Sequence, residues 1–155
     1  MLDVLGTQRS YRIHVPAGDN TASPRPAVFL LHGMPGSAFQ IQHYFGLDRV
    51  ADREDFIAVY PDSLTGAWGD VRFPDQPDSA KRHTEQDVAF LNVLADELAK
   101  TGLADPTRIY LAGNSNGGLM VTTMACLSPR KFAAFAAVTA TASVHARSMC
   151  HAAKP

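Results

Sequence analysis

A mostly parallel α/β sheet, covered by helices on both faces, is the fold class this sequence predicts, on three observations. Four apolar runs, at residues 27–31, 56–60, 108–112 and 135–139, alternate with stretches of helical periodicity. Strands that are apolar on both sides belong to sheets buried on both sides. Between the third run and a helix-compatible stretch at 118–124 stands Gly113-Asn114-Ser115-Asn116-Gly117. After the first run comes a second glycine-rich turn, Leu30-Leu31-His32-Gly33-Met34-Pro35-Gly36. At 155 residues and 46% hydrophobic, the chain reads as one domain, 1–155, with a sizeable core.

The elements follow in order. Tyr11, Ile13 and Val15 alternate with Arg12 and His14, which predicts a half-exposed antiparallel strand ended by Pro16. A Pro/Ser/Gly-rich connector, 16–26, leads into the strand at 27–31. Residues 39–53 read as one helix and 56–60 as a buried strand stopped by Pro61. Residues 61–82 lack periodicity and are read as a long surface loop, with Asp62, Asp70, Asp75 and Asp78 as solvated carboxylates. Thr84-Glu85-Gln86-Asp87 is close to a capping box and opens a helix over 84–101 that Gly102 ends. Val88, Leu91, Leu94, Ala95 and Leu98 share its apolar face. Ser128-Pro129 breaks the helix after the serine turn, before the last strand.

Ser115 carries the chemistry. A strand-to-helix reversal in five residues forces its central residue into strained dihedrals and needs small neighbours, which Gly113 and Gly117 supply. It lifts the hydroxyl out of the sheet, near the positive end of a helix. A serine that attacks an acyl carbon also needs two backbone N–H groups aimed at the oxyanion. Asn116, directly after the serine, offers one. The turn after the first apolar strand offers the other; Pro35 has no N–H, so Met34 is the choice and Gly33 the next. Trp68, with Tyr60 and Phe73, is read either as lining for a substrate group, beside His32 and Gly33 on the oxyanion turn, or as an anchor that pins the long loop onto the core. The His32 ring is also read as a brace for that turn. His14, His43 and His83 are taken as surface residues.

Several function classes are disfavoured. A net charge of −1 leaves no footprint for nucleic acid or acidic membranes. No apolar run approaches the roughly 20 residues of a membrane span, and the first residues carry no signal peptide. Cys126 and Cys150 make no disulfide framework; of a pair and two free thiols, the free thiols are the reading preferred, with Cys126 packed in a helix. No metal-ligand cluster and no cofactor motif stand out.

Tyr11-Arg12-Ile13-His14-Val15-Pro16, Val59-Tyr60-Pro61-Asp62, Ala67-Trp68-Gly69-Asp70, Asp87-Val88-Ala89-Phe90-Leu91, Asp105-Pro106-Thr107-Arg108-Ile109-Tyr110 and Ser115-Asn116-Gly117-Gly118-Leu119-Met120 join the two turns to make a wider pattern. It resembles the polyhydroxybutyrate depolymerase family of esterases, with its feruloyl- and acetylxylan-esterase-like members, across nearly all of the chain. The resemblance implies an α/β-hydrolase fold and a serine esterase that cleaves carboxylic esters through an acyl-enzyme on Ser115. It implies no metal or cofactor, and an extracellular or periplasmic location. In that fold the triad runs serine, acid, histidine. Residues 116–155 contain no Asp or Glu, and the only histidines there are His145 and His151. The expectation is therefore an α/β-hydrolase interrupted after the strand that follows the nucleophile helix, poorly active by itself and prone to associate through an open sheet edge. A catalytically dead hydrolase with a binding role, or a serine peptidase of related fold, are the alternatives. Which ester is cleaved is not legible.

Overall fold

The structure, a computed structural model, describes residues 1–17, 23–71, 75, 77–142 and 144–150. Two short strands, β1 (Leu2–Val4) and β2 (Thr7–Arg9), form an antiparallel hairpin. Then follow β3 (Tyr11–His14), β4 (Arg25–Leu31), α1 (Ala38–Phe45), α2 (Leu47–Glu54), β5 (Ile57–Pro61) and α3 (Asp78–Lys100). The chain continues through β6 (Ala104–Asn114), α4 (Asn116–Leu127), β7 (Ala134–Val138) and α5 (Val144–Met149). The main sheet has the order β3-β5-β4-β6-β7, antiparallel only at β3.

Side-chain alternation on the inner strands sends residues to opposite faces, and two cores result. Ala27, Phe29 and Leu31 of β4, with Ile57 and Val59 of β5, pack under α3 and α4. Their neighbours Leu30, Ala58 and Tyr60 pack under α1 and α2. Right-handed crossovers require this division: α1 and α2 lead to a strand on one side of β4, while α3 and α4 lead toward the other side. The strand order therefore reverses between β4 and β6, and a crevice opens at their carboxyl ends. Leu31 lies opposite Gly113 there, so the two glycine-rich turns emerge side by side. Among the described residues β7 is an edge strand, with Ala136, Ala137 and Val138 exposed.

The structure corrects several local expectations. The helix expected over 39–53 is two helices, because Gly46 adopts φ 61° and turns the chain between them. The long helix starts at Asp78 rather than Thr84. Its first two turns are mostly solvent-facing and present no apolar stripe, and Thr84 is buried with its hydroxyl donating to the Ala80 carbonyl. Pro61 ends β5 from within, and β6 begins at Ala104, four residues before the expected strand. Within the expected surface loop, Trp68, Gly69, Asp70 and Val71 are buried. Asp62 is not simply solvated, since its Oδ1 accepts the Ala38 N–H at the start of α1 (2.6 Å). Cys126 and Cys150 are not free thiols but a disulfide that ties α4 to the end of α5, their Cα atoms 4.4 Å apart. Sequence spacing carried no sign of this pairing, because the second cysteine reaches the first only once β7 has returned the chain across the sheet.

Candidate active site

Ser115 stands between β6 and α4 with φ 53° and ψ −118°, a conformation that a non-glycine residue holds only when its surroundings enforce it. Three glycines allow the enforcement. A Cβ at Gly113 would lie 2.4 Å from the Gly117 carbonyl oxygen, and one at Gly117 would lie 2.5 Å from the carbonyls of Leu31 and His32. One at Gly118 would meet Ala140 at 2.7 Å. From the far side, the Ser115 N–H donates to the Val138 carbonyl (2.9 Å) and to the Thr139 hydroxyl (3.2 Å). That hydroxyl in turn donates to Asn114 Oδ1 (2.8 Å). The result is an exposed serine on a turn packed from β4 and from β7.

A cavity of about 620 Å³ opens beside Ser115, between the turn after β4 and helix α1. Gly33, Met34 and Asn114 line it, with Phe39, Tyr44 and Phe45 of α1 on the outer wall. A Cβ at Gly33 would sit 3.4 Å from the Ser115 Cβ, in van der Waals contact, so this turn lies directly beside the serine. Met34 exposes its side chain at the rim. Asn116 occupies the first position of α4, where an N–H has no intrahelical acceptor. Its side chain does something the sequence did not disclose: Oδ1 accepts the Trp68 N–H (2.7 Å) and Nδ2 donates to the Trp68 carbonyl (3.1 Å).

Trp68 itself is 2% exposed and is absent from the cavity wall; its indole N–H donates to the His32 carbonyl (3.1 Å). Of its two readings the lining one is corrected and the anchor one fits: Trp68 pins the loop onto the core. Tyr60 is likewise fully buried, on the opposite core, with its hydroxyl on Asp48. Burial and that carboxylate hold its pKa far above the usual tyrosine value. Phe73 lies outside the described residues, as does His151. His145 is half-buried in α5 and does not line the cavity.

His32 lines the cavity but is 1% exposed, and both ring nitrogens are engaged. Nδ1 donates to the Gly33 carbonyl (2.7 Å), which makes Nε2 the acceptor of the Ser63 N–H (3.2 Å). Burial holds its pKa below the ordinary value, so the ring is neutral at pH 7. With no nitrogen left over, it braces the turn and is unavailable as a base for Ser115.

A second buried group, Arg9 with Asp87, was missed. Arg9 Nη2 donates to Asp87 Oδ1 (2.7 Å) and to the Asp62 carbonyl (3.1 Å), and its guanidinium lies 4.1 Å from the centre of the Phe90 ring. The other Asp87 oxygen accepts the Gly69 N–H (2.8 Å). The sequence did hold a signal. Asp87 falls on the same helical face as Leu91, Leu94 and Leu98, and a carboxylate within an apolar stripe needs a buried partner. No group of His, Cys, Asp and Glu able to hold a metal ion, and no helix long and apolar enough to cross a membrane, occurs among the described residues.

Residues 53–152 match the model of the prolyl oligopeptidase family. NocK of Nocardia uniformis subsp. tsuyamanensis, a protein assigned as an esterase, is 31% identical over 136 residues, which are 87% of this chain and 39% of that protein. Feruloyl esterase B of Neurospora crassa is 28% identical over 133 residues, 84% of this chain and 44% of the relative. Among solved structures, the S-formylglutathione hydrolase FrmB of Staphylococcus aureus superposes with a TM-score of 0.70 at 16% identity, covering 88% of this chain and 53% of that one. The chain thus spans less than half the length of these two sequence relatives. The resemblance to esterase-like α/β-hydrolases expected from the motifs holds, and the chain belongs to the prolyl oligopeptidase family, with an α/β-hydrolase fold and esterases among its relatives.

Proposed function

We propose that this protein is a serine ester hydrolase in which Ser115 forms the acyl-enzyme. The observation that carries the reading is Ser115 itself: exposed, held at positive φ between β6 and α4, and faced at close range by the Gly33 backbone across a cavity. The serine oxygen attacks the acyl carbon of a bound ester. The oxyanion that develops is received by the N–H of Asn116 and by that of Met34, with Gly33 next to it. The alcohol leaves and water releases the acid. A serine hydroxyl is a weak nucleophile at neutral pH and needs a base within about 3 Å. His32 is not that base. In this fold the acid and histidine follow the serine, and residues 116–155 supply no carboxylate.

The apolar wall of Phe39, Tyr44 and Phe45 suits an ester with an apolar acyl or aryl group. The Cys126–Cys150 disulfide suits an oxidising compartment and so favours an extracellular or periplasmic site of action. A second reading, hydrolysis of peptide amides, is favoured by the family description alone. Labelling of the full natural protein with a fluorophosphonate probe tests the first reading: the wild type is labelled and Ser115→Ala is not. Equal labelling of the two would remove Ser115 from the mechanism. Parallel rates on short acyl esters and peptide amides separate ester from amide hydrolysis.

A further inference from the structure

The segment Trp68-Gly69 touches both halves of the site without touching the cavity. On one side its backbone N–H and carbonyl pair with the whole side-chain amide of Asn116, the residue after the serine. On the other side the indole N–H holds the carbonyl of His32. That carbonyl belongs to the same peptide unit as the Gly33 N–H, directly before Met34. The indole also packs on the His32 ring, centroids 5.1 Å apart. Behind it, the Gly69 N–H is fastened to Asp87, and a Cβ at Gly69 would lie 2.5 Å from the Thr84 Cα, so α3 backs the segment without a gap.

We propose that Trp68 is a positioning residue for the oxyanion site: it sets the distance between the donor at Asn116 and the donor on the Gly33–Met34 turn. This rests on the reading of Ser115 as nucleophile. The two turns come from different strands, and no covalent link fixes their spacing. An oxyanion donor is useful only within a few tenths of an ångström of its place, and a displacement of about 1 Å costs up to ~100-fold in rate. A buried aromatic ring alone would fill the space. What phenylalanine lacks is the N–H that reaches His32, which is why tryptophan is needed at this position.

Two variants of the full natural protein test this. Trp68→Phe keeps an aromatic ring and removes the donor to His32. Asn116→Ala keeps the backbone N–H and removes the clamp on Trp68. In each, kcat on a short acyl ester falls about 10- to 100-fold while KM stays within about twofold, the split expected when only the transition state loses stabilisation. The backbone amide NMR signals of Gly33 and Asn116 move together in Trp68→Phe, and the Gly33 signal moves in Asn116→Ala. A loss carried by KM, or an Asn116→Ala protein whose Gly33 signal stays in place, would overturn the proposal. If Trp68→Phe does not fold, Asn116→Ala alone decides it by the same readouts. A wild type with no turnover refutes the esterase reading, and the linked amide shifts still decide whether the segment couples the two turns.

Discussion

Replacing Asp87 by leucine tests how the loop behind the site is held. Asp87 is fully buried and Arg9 nearly so, their side chains 0% and 1% exposed. Without the carboxylate, the guanidinium keeps two carbonyl acceptors, of Asp62 and Gln86, and the Phe90 face, but its charge is uncompensated. The Gly69 N–H loses its acceptor as well. Breaking one side of a buried pair costs about 3–5 kcal/mol, and an orphaned amide about 1–3 kcal/mol more when nothing relaxes. With relaxation the cost falls to the lower end of that sum, about 4 kcal/mol, a large part of a total stability of about 5–15 kcal/mol. Urea unfolding reads it directly: with a slope of about 2 kcal/mol/M, the midpoint falls by about 2 M. Arg9→Met should cost a similar amount, since it strands the carboxylate. The double variant Arg9→Met/Asp87→Leu should recover at least about 2 kcal/mol relative to the sum, because neither charge is then left unpaired. Strict additivity, or a cost for Asp87→Leu below about 1 kcal/mol, would refute the view that the pair acts as one buried unit.

Other perturbations give sharper local answers. Gly117→Ala places a Cβ 2.5 Å from the carbonyls of Leu31 and His32 and should destabilise by about 3 kcal/mol or prevent folding. Gly102→Ala has open space and only its φ of +75° to resist, so about 1 kcal/mol is expected in the same urea assay. Burial lowers the pKa of His32 in the folded state, so the unfolded chain binds more protons in the window from about 6.5 down to that lowered value. Its contribution is fully present above pH ~6.5 and is lost as pH falls through that window; His32→Asn should flatten this part of the stability–pH profile measured by urea midpoints. Thiol titration of the unreduced, denatured protein should find no free cysteine. Reduction should open a 24-residue separation and lower stability by about 3 kcal/mol, seen as a fall in Tm.

What the sequence determined by itself was local. Continuous apolar runs marked β4, β5 and β6, because strands buried on both faces must be continuously apolar, and marked β7 as well, although that edge strand leaves Ala136, Ala137 and Val138 exposed. Glycines at 113 and 117 marked the serine turn, because a Cβ at either position would lie 2.4–2.5 Å from a neighbouring carbonyl oxygen. The alternation of Tyr11, Ile13 and Val15 marked β3 as antiparallel and half-exposed. Tertiary structure decided whatever depended on a partner distant in the chain. Trp68 read equally as pocket lining or as an anchor, because nothing nearby in sequence needs an indole donor; its acceptor is 36 residues away, on His32. Arg9 looks like a surface charge until the hairpin closes over α3 and brings it to Asp87, 78 residues away. Cys126 and Cys150 pair only because β7 brings α5 back against α4. Helix periodicity ran unbroken through Gly46, since an amphipathic pattern records which face is buried and not where the axis bends. Periodicity and sterics act over a few residues and can be read in one dimension, whereas hydrogen bonds between buried polar groups are set by which loops the sheet order brings together.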